Sequence, residues 1–110
     1  MTITALEVLK IWQEDFASGN SDALSAIITD DFIFVGQTTG TRNREETLDW
    51  VSSAPGLHMS DPEVLYENHE VIVCLHTVER AGVKGKVMAF ARIAGDKLSY
   101  WTVVRGDIPN

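Results

Sequence analysis

Few side chains in this chain can move a proton or aim a hydrogen bond from an apolar setting, and His76 is the first of them. It lies within VIVCLHTV. Strand alternation puts Ile72, Cys74, His76 and Val78 on one face of that segment and Val71, Val73, Leu75 and Thr77 on the other. Histidine titrates near neutrality and serves as a general base without a raised pKa. A lone strand histidine is equally compatible with a core position, satisfied by a carbonyl or hydroxyl. Trp12 and Trp101 each offer a flat apolar face and one indole N–H, suited to an aromatic wall around a flat or cyclic ligand and also to plain core packing. Arg105 has the paired donors to hold a carboxylate or enolate, or to pair with Asp107. Cys74, the only cysteine, has no cationic neighbour in sequence and reads as a small buried hydrophobe rather than a nucleophile.

Other chemistries are excluded by spacing and charge. His58, His69 and His76 are too scattered for a metal set, and no second cysteine helps, so no metal is expected. No Ser-His-Asp order, glycine-rich phosphate loop or paired-carboxylate motif occurs, and no cofactor is implied. A net charge of −7 with no Lys/Arg cluster repels phosphate backbones and anionic lipid, which argues against nucleic acid. No apolar run approaches the ~20 residues of a membrane span, and MTITALEVL lacks a basic leader region, so a cytoplasmic protein is expected.

The positioning elements follow from local signals. Thr4-Ala5-Leu6-Glu7 is a capping box that starts a helix near Ala5; Ala5, Val8, Leu9, Trp12 and Phe16 form its apolar stripe, and Gly19 supplies a left-handed stop. A shorter helix is expected over Ser21 to Ile28, then a strand at Phe32-Ile33-Phe34-Val35 and a polar loop from Gln37 to Thr41. Asn43 with Glu46 caps a third helix that carries Leu48, Trp50 and Val51 and ends at Ala54-Pro55-Gly56. Four strands are expected at about Leu57–Glu67, Val71–Arg80, Val83–Ala94 and Leu98–Arg105, the first bent at Asp61-Pro62. Helices first and an antiparallel meander after them indicate a single α+β domain over residues 1–110.

This order, with Gly19, Leu24, Asp30-Asp31, the Gly40-Thr41 lead and the final Lys97-Leu98-Ser99-Tyr100-Trp101 strand, resembles the SnoaL-like branch of the nuclear transport factor 2-like (NTF2-like) superfamily, which includes ketosteroid isomerases. The resemblance implies a cone: a curved, mainly antiparallel sheet wrapped around the N-terminal helices, its concave face and first helix lining a pocket. It turns the His76 face toward that pocket, with Val87, Ala89 and Ala91 of the next strand and Trp101, Val103 and Arg105 of the last. Phe16, Phe34 and Cys74 join these as candidate ligand contacts. Asp15 and Asp31 match positions bordering the pocket, but exposed carboxylates at turns are the better reading of both.

The same match puts Trp12 at the isomerases' oxyanion-donor tyrosine, Gly36 at their aspartate base and Ala89 at their protonated acid. Glycine and alanine move no proton, so steroid isomerisation is not expected. The Asp-Arg-Asp arrangement of limonene epoxide hydrolase is missing as well, since Arg92 has no nearby acid and the last strand reads Trp101-Thr102-Val103. Polyketide cyclases commonly carry an acid where this chain has Thr102. Two functions remain in competition. One is a cofactor-free isomerase, cyclase or lyase acting on a small apolar carbonyl compound, with His76 as base, Trp12 as donor and Arg105 opposite negative charge; the other is a non-catalytic ligand-binding or dimerisation module. A homodimer is expected through the convex face, where Val73, Leu75, Met88, Phe90, Tyr100 and Val104 form an apolar patch.

Overall fold

The computed structural model describes residues 3–37, 40–53 and 56–107. Helix α1 spans Ala5–Ser18 and buries the whole stripe Ala5, Val8, Leu9, Trp12 and Phe16. Thr4 caps it: its hydroxyl accepts the Glu7 N–H at 3.2 Å and donates to the Glu7 carboxylate at 2.8 Å. The Ala5 N–H instead donates to Oε2 of Glu67 at 2.9 Å, which places a carboxylate from the sheet at the positive end of the helix. Gly19 closes the helix with φ 68°, its N–H on the Asp15 carbonyl.

After α2 (Asp22–Ile27) come β1 (Ile28–Gly36), β2 (Gly40–Asn43), α3 (Arg44–Ser52), β3 (His58–Glu67), β4 (Val71–Arg80), β5 (Val83–Ala94) and β6 (Lys97–Asp107). Asn43 and Glu46 form a reciprocal capping box on α3, with bonds of 2.9 and 3.0 Å. The six strands form one curved sheet in the order β2-β1-β6-β5-β4-β3, antiparallel throughout except for the parallel pair β1/β6. One face of the sheet is buried, through Ile72, Cys74, His76 and Val78 of β4 and Val87, Ala89 and Ala91 of β5. The opposite face leaves Met88 and Val104 exposed, at 44% and 54%. The architecture is the expected α+β cone. No helix among the described residues is long and apolar enough to cross a membrane.

Two departures from the sequence reading have physical causes in the structure. Ile28 begins β1 rather than ending α2, four residues ahead of the expected start at Phe32, and the strand runs through Asp30-Asp31. The β-branched pair Ile28-Thr29 favours extended backbone, and an irregularity between Ile28 and Ile33 in the pairing with β6 absorbs the two exposed aspartates. The polar stretch that read as a loop to Thr41 contains β2, which pairs Gly40–Asn43 with Gly36–Ile33 as the arm of a hairpin. Leu98 and Trp101 are both buried although three residues apart, because Arg92 pairs with Tyr100 and Ile93 with Leu98, leaving Ser99 as an extra residue on β6. The bend at Asp61-Pro62 appears as expected, with a register shift between Ser60 and Glu63 and Asp61 at φ 52°. The expected helix stop at Ala54-Pro55 lies outside the described residues.

The β4–β5 link is a two-residue turn in which Ala81 (φ 54°) and Gly82 (φ 80°) both adopt the left-handed region. Hairpins of this kind favour asparagine at the first position, where an alanine Cβ is strained. Ala81→Asn is expected to raise the free energy of unfolding by about 0.5–1 kcal/mol in urea titrations, and Ala81→Val to lower it.

Candidate functional site

The helices and the buried sheet face line a cavity of about 120 Å³ that opens to solvent. Helix α1 contributes Trp12 and Phe16, β1 contributes Phe34 and Gly36, and Trp50 comes from α3. The remaining wall consists of Gln37, Leu57, Met59, His76, Val78, Val87, Trp101, Val103 and Arg105. The sheet residues among them arrive through the register. His76 pairs with Val87, and Val87 with Arg105, so three neighbouring strands present these side chains in one row.

Five aromatic rings, Trp12 among them, form a continuous wall. The Trp12 ring lies 5.3 Å from Trp101, 5.9 Å from Phe16 in a stacked arrangement and 6.0 Å from Phe34, centroid to centroid. Trp50 completes the set, edge-on to Phe16 at 5.0 Å and tilted on Phe34 at 5.3 Å. Offset and edge-on contacts at these separations are the favourable ones for rings. Behind this wall, the Arg42 guanidinium carbon lies 4.2 Å from the Trp50 ring centroid and 6.0 Å from that of Phe34. Arg42 reaches there because it pairs with Phe34 across the β1–β2 hairpin.

The polar atoms of the wall are few. Trp12 is 2% exposed, and its Nε1 is buried with no hydrogen-bond partner among the described residues. His76 is 5% exposed, with Nδ1 a long 3.5 Å from the Thr77 carbonyl oxygen. Burial holds its pKa below 6.5 and Lys86 pushes the same way, against the weaker pull of the Thr77 carbonyl. The imidazole is therefore neutral at physiological pH. Arg105 is exposed at the cavity rim; its N–H donates to Oε1 of Gln37 at 2.9 Å. Its guanidinium crosses Gly85, where an added Cβ would lie 3.0 Å from Cζ and Nη2 and closer still to Nε. The side chain of Asp107, its possible partner, lies outside the described residues.

Of the residues singled out from the sequence, the fold gathers Trp12, Phe16, Phe34, His76, Trp101, Val103 and Arg105 around one cavity. Cys74 is the exception. It shares the parity of His76, but one repeat farther along β4 it is fully enclosed in the core, and burial pushes its thiol pKa up to about 12. Ala89 and Ala91 are likewise buried in the core without reaching the wall. Asp15 is a correction: read as an exposed turn carboxylate, it is 5% exposed and its Oδ2 accepts the Leu24 N–H at 2.9 Å, joining α1 to α2. Burial raises its pKa, opposed by that hydrogen bond and assisted by Asp22 and Glu14. Asp31 is exposed as expected and accepts the Thr29 hydroxyl. Among the described residues no three His, Cys, Asp or Glu side chains converge as metal ligands. Sequence reasoning gave Trp50 only as part of the apolar face of α3; Gln37, Leu57 and Met59 were missed because loops and a strand start bring them in.

Solved structures share this arrangement. An NTF2-like protein of unknown function from Cytophaga hutchinsonii superposes with a TM-score of 0.78 at 12% identity, over 96% of this chain and 93% of that one. The chain has the NTF2-like fold. An NTF2-like protein from Anabaena variabilis matches at TM-score 0.71 and 19% identity, over 96% and 94% of the two chains. A protein from Catenulispora acidiphila with a ketosteroid isomerase-like fold, in complex with trimethylamine, matches at TM-score 0.69 and 17% identity, over 92% and 86%. No protein-family model and no curated protein matches the sequence.

The lowered pKa of His76 makes stability pH-dependent in a definite direction. Between the native pKa and 6.5 the unfolded chain binds more protons than the NTF2-like native state, so stability rises with pH across that window and is lost on acidification. Thermal midpoints of the wild type should fall from neutrality down to about pH 5, and those of His76→Gln should fall less over the same interval.

Proposed function

We propose that this NTF2-like cone binds a small, largely apolar molecule bearing a hydrogen-bond acceptor, with the Trp12 indole N–H as its donor. The observation that carries this reading is the buried, unpartnered Nε1 of Trp12 in an aromatic cavity wall. A buried donor without a partner costs about 1–3 kcal/mol, a cost that a bound acceptor removes. Phe16, Phe34, Trp101 and Val103 supply the apolar surface around it. The trimethylamine complex of the Catenulispora protein supports the idea that cones of this architecture take small molecules.

A second reading, cofactor-free proton transfer, rests on His76. It shares the cavity with Trp12 and is neutral, so it is ready to accept a proton from a carbon acid whose developing oxyanion the indole would receive. Gly36 lines the same cavity without a side chain, so no carboxylate base competes for that role.

The test is an indole N–H spectrum of the protein with candidate cyclic carbonyl compounds added. Ligand binding should shift the Trp12 resonance, and Trp12→Phe should weaken affinity about tenfold while leaving the protein folded. No shift with any ligand, or undiminished affinity in Trp12→Phe, overturns the binding reading. For the catalytic reading, His76→Ala should abolish deuterium exchange into a bound carbonyl compound with little change in its affinity.

Pairing of two copies through the convex face belongs to the same proposal. Met88 and Val104 project there, with the half-buried Val73, Leu75, Phe90 and Tyr100 between and beside them. Light scattering at micromolar concentration should give twice the chain mass, and Phe90→Glu should return the mass of one chain.

A further inference from the structure

The charge pattern behind the cavity wall goes further than a generic apolar ligand. We infer that the cavity selects a planar, negatively charged oxygen ligand, an aromatic carboxylate in preference to its neutral amide and in strong preference to an amine of the same shape, and that Arg42 is the residue that sets this selectivity. The inference rests on the reading that the cone binds a small molecule.

Arg42 lies in β2 directly opposite Phe34, and its guanidinium is stacked 4.2 Å from the Trp50 ring centroid. Its Nη1 is buried and has no hydrogen-bond partner among the described residues. The side chain is thus a cation at the back of two rings that line the cavity. No Asp or Glu occurs among the lining residues, His76 is held in its neutral form, and the lining cation Arg105 is exposed at the rim, where solvent screens it. The second unpartnered buried polar atom, Trp12 Nε1, is also a donor. A cavity wall with one unfilled donor, on Trp12, and a positive charge behind its rings attracts an anionic acceptor and repels a cation. The aromatic faces would otherwise suit an ammonium group, but Arg42 already occupies that favourable position over Trp50. The protein's overall charge of −7 would draw amines in from solution, so any preference for an anion must come from this local arrangement.

The test compares three ligands of one shape, benzoate, benzamide and benzylamine, by calorimetry and by the Trp12 indole N–H resonance at neutral pH. Benzoate should bind at least about fivefold more tightly than benzamide, and benzylamine should bind more weakly than either. Arg42→Gln should weaken benzoate about tenfold and benzamide by less than about twofold, and Arg42→Lys should restore most of the benzoate affinity. Benzylamine binding as tightly as benzoate overturns the inference while leaving the cavity a binding site, as does an equal loss for benzoate and benzamide in Arg42→Gln. If none of the three perturbs Trp12 at millimolar concentration, the small-molecule reading fails and the inference with it. If Arg42→Gln does not fold, Arg42→Lys against Arg105→Gln decides the matter: benzoate affinity kept in Arg42→Lys and in Arg105→Gln supports Arg42, and its loss in Arg105→Gln alone overturns the assignment.

Discussion

The placement of α1 governs everything at the cavity, and two carboxylates fix it. Glu67 at the end of β3 accepts the Ala5 N–H at the start of the helix, and Asp15 near its end accepts the Leu24 N–H of α2. Between these anchors the buried stripe has no freedom to rotate, because turning the helix by one residue would carry Trp12 out of contact with Trp101, Phe16 and Phe34. The aromatic wall is therefore a consequence of helix anchoring. Asp15 achieves this at some cost, since burial raises its pKa and two acids lie near it; the Leu24 amide is what makes a carboxylate tolerable there.

An interior left open in so small a domain works against stability. The unpartnered Trp12 N–H adds to that deficit. Local departures from good packing and full hydrogen bonding fall on the same few residues, the pattern expected where a site rather than a scaffold sets the sequence. Away from the cavity, Leu24, Ile28, Ile72 and Leu98 are fully buried, and the buried polar groups Asp15 and Thr47 each have a hydrogen-bond partner.

Much of the fold was legible because its signals are local. The caps at Thr4, Gly19 and Asn43, the turn at Ala81-Gly82 and the alternation along β4 each depend on neighbours within a few residues. What escaped depends on distant partners. The extended run through Asp30-Asp31 exists because β6 pairs beside it, and β2 exists because β1 offers an edge. The register implied by the family resemblance turned the faces of His76, Trp101, Val103 and Arg105 toward the cavity they line, but a face says nothing about depth along the cone, and Cys74 lies in the core. The burial of Asp15 was invisible for the same reason: its partner Leu24 is on another helix.

The parallel pairing of β1 with β6 has a consequence for how this protein comes to be folded. Residues 33–36 take residues 100–103 as partners, so the sheet cannot close over the cavity until nearly the whole chain is available. The β3–β6 meander closes through short turns and is free to form early, whereas the β1–β6 seam requires a long loop to be ordered first. Trp101 sits on that seam, paired with Phe34 in register and packed on Trp12. The two halves of the aromatic wall thus meet across a long-range pairing of the sheet, so closing the wall carries the entropy cost of ordering the chain between them.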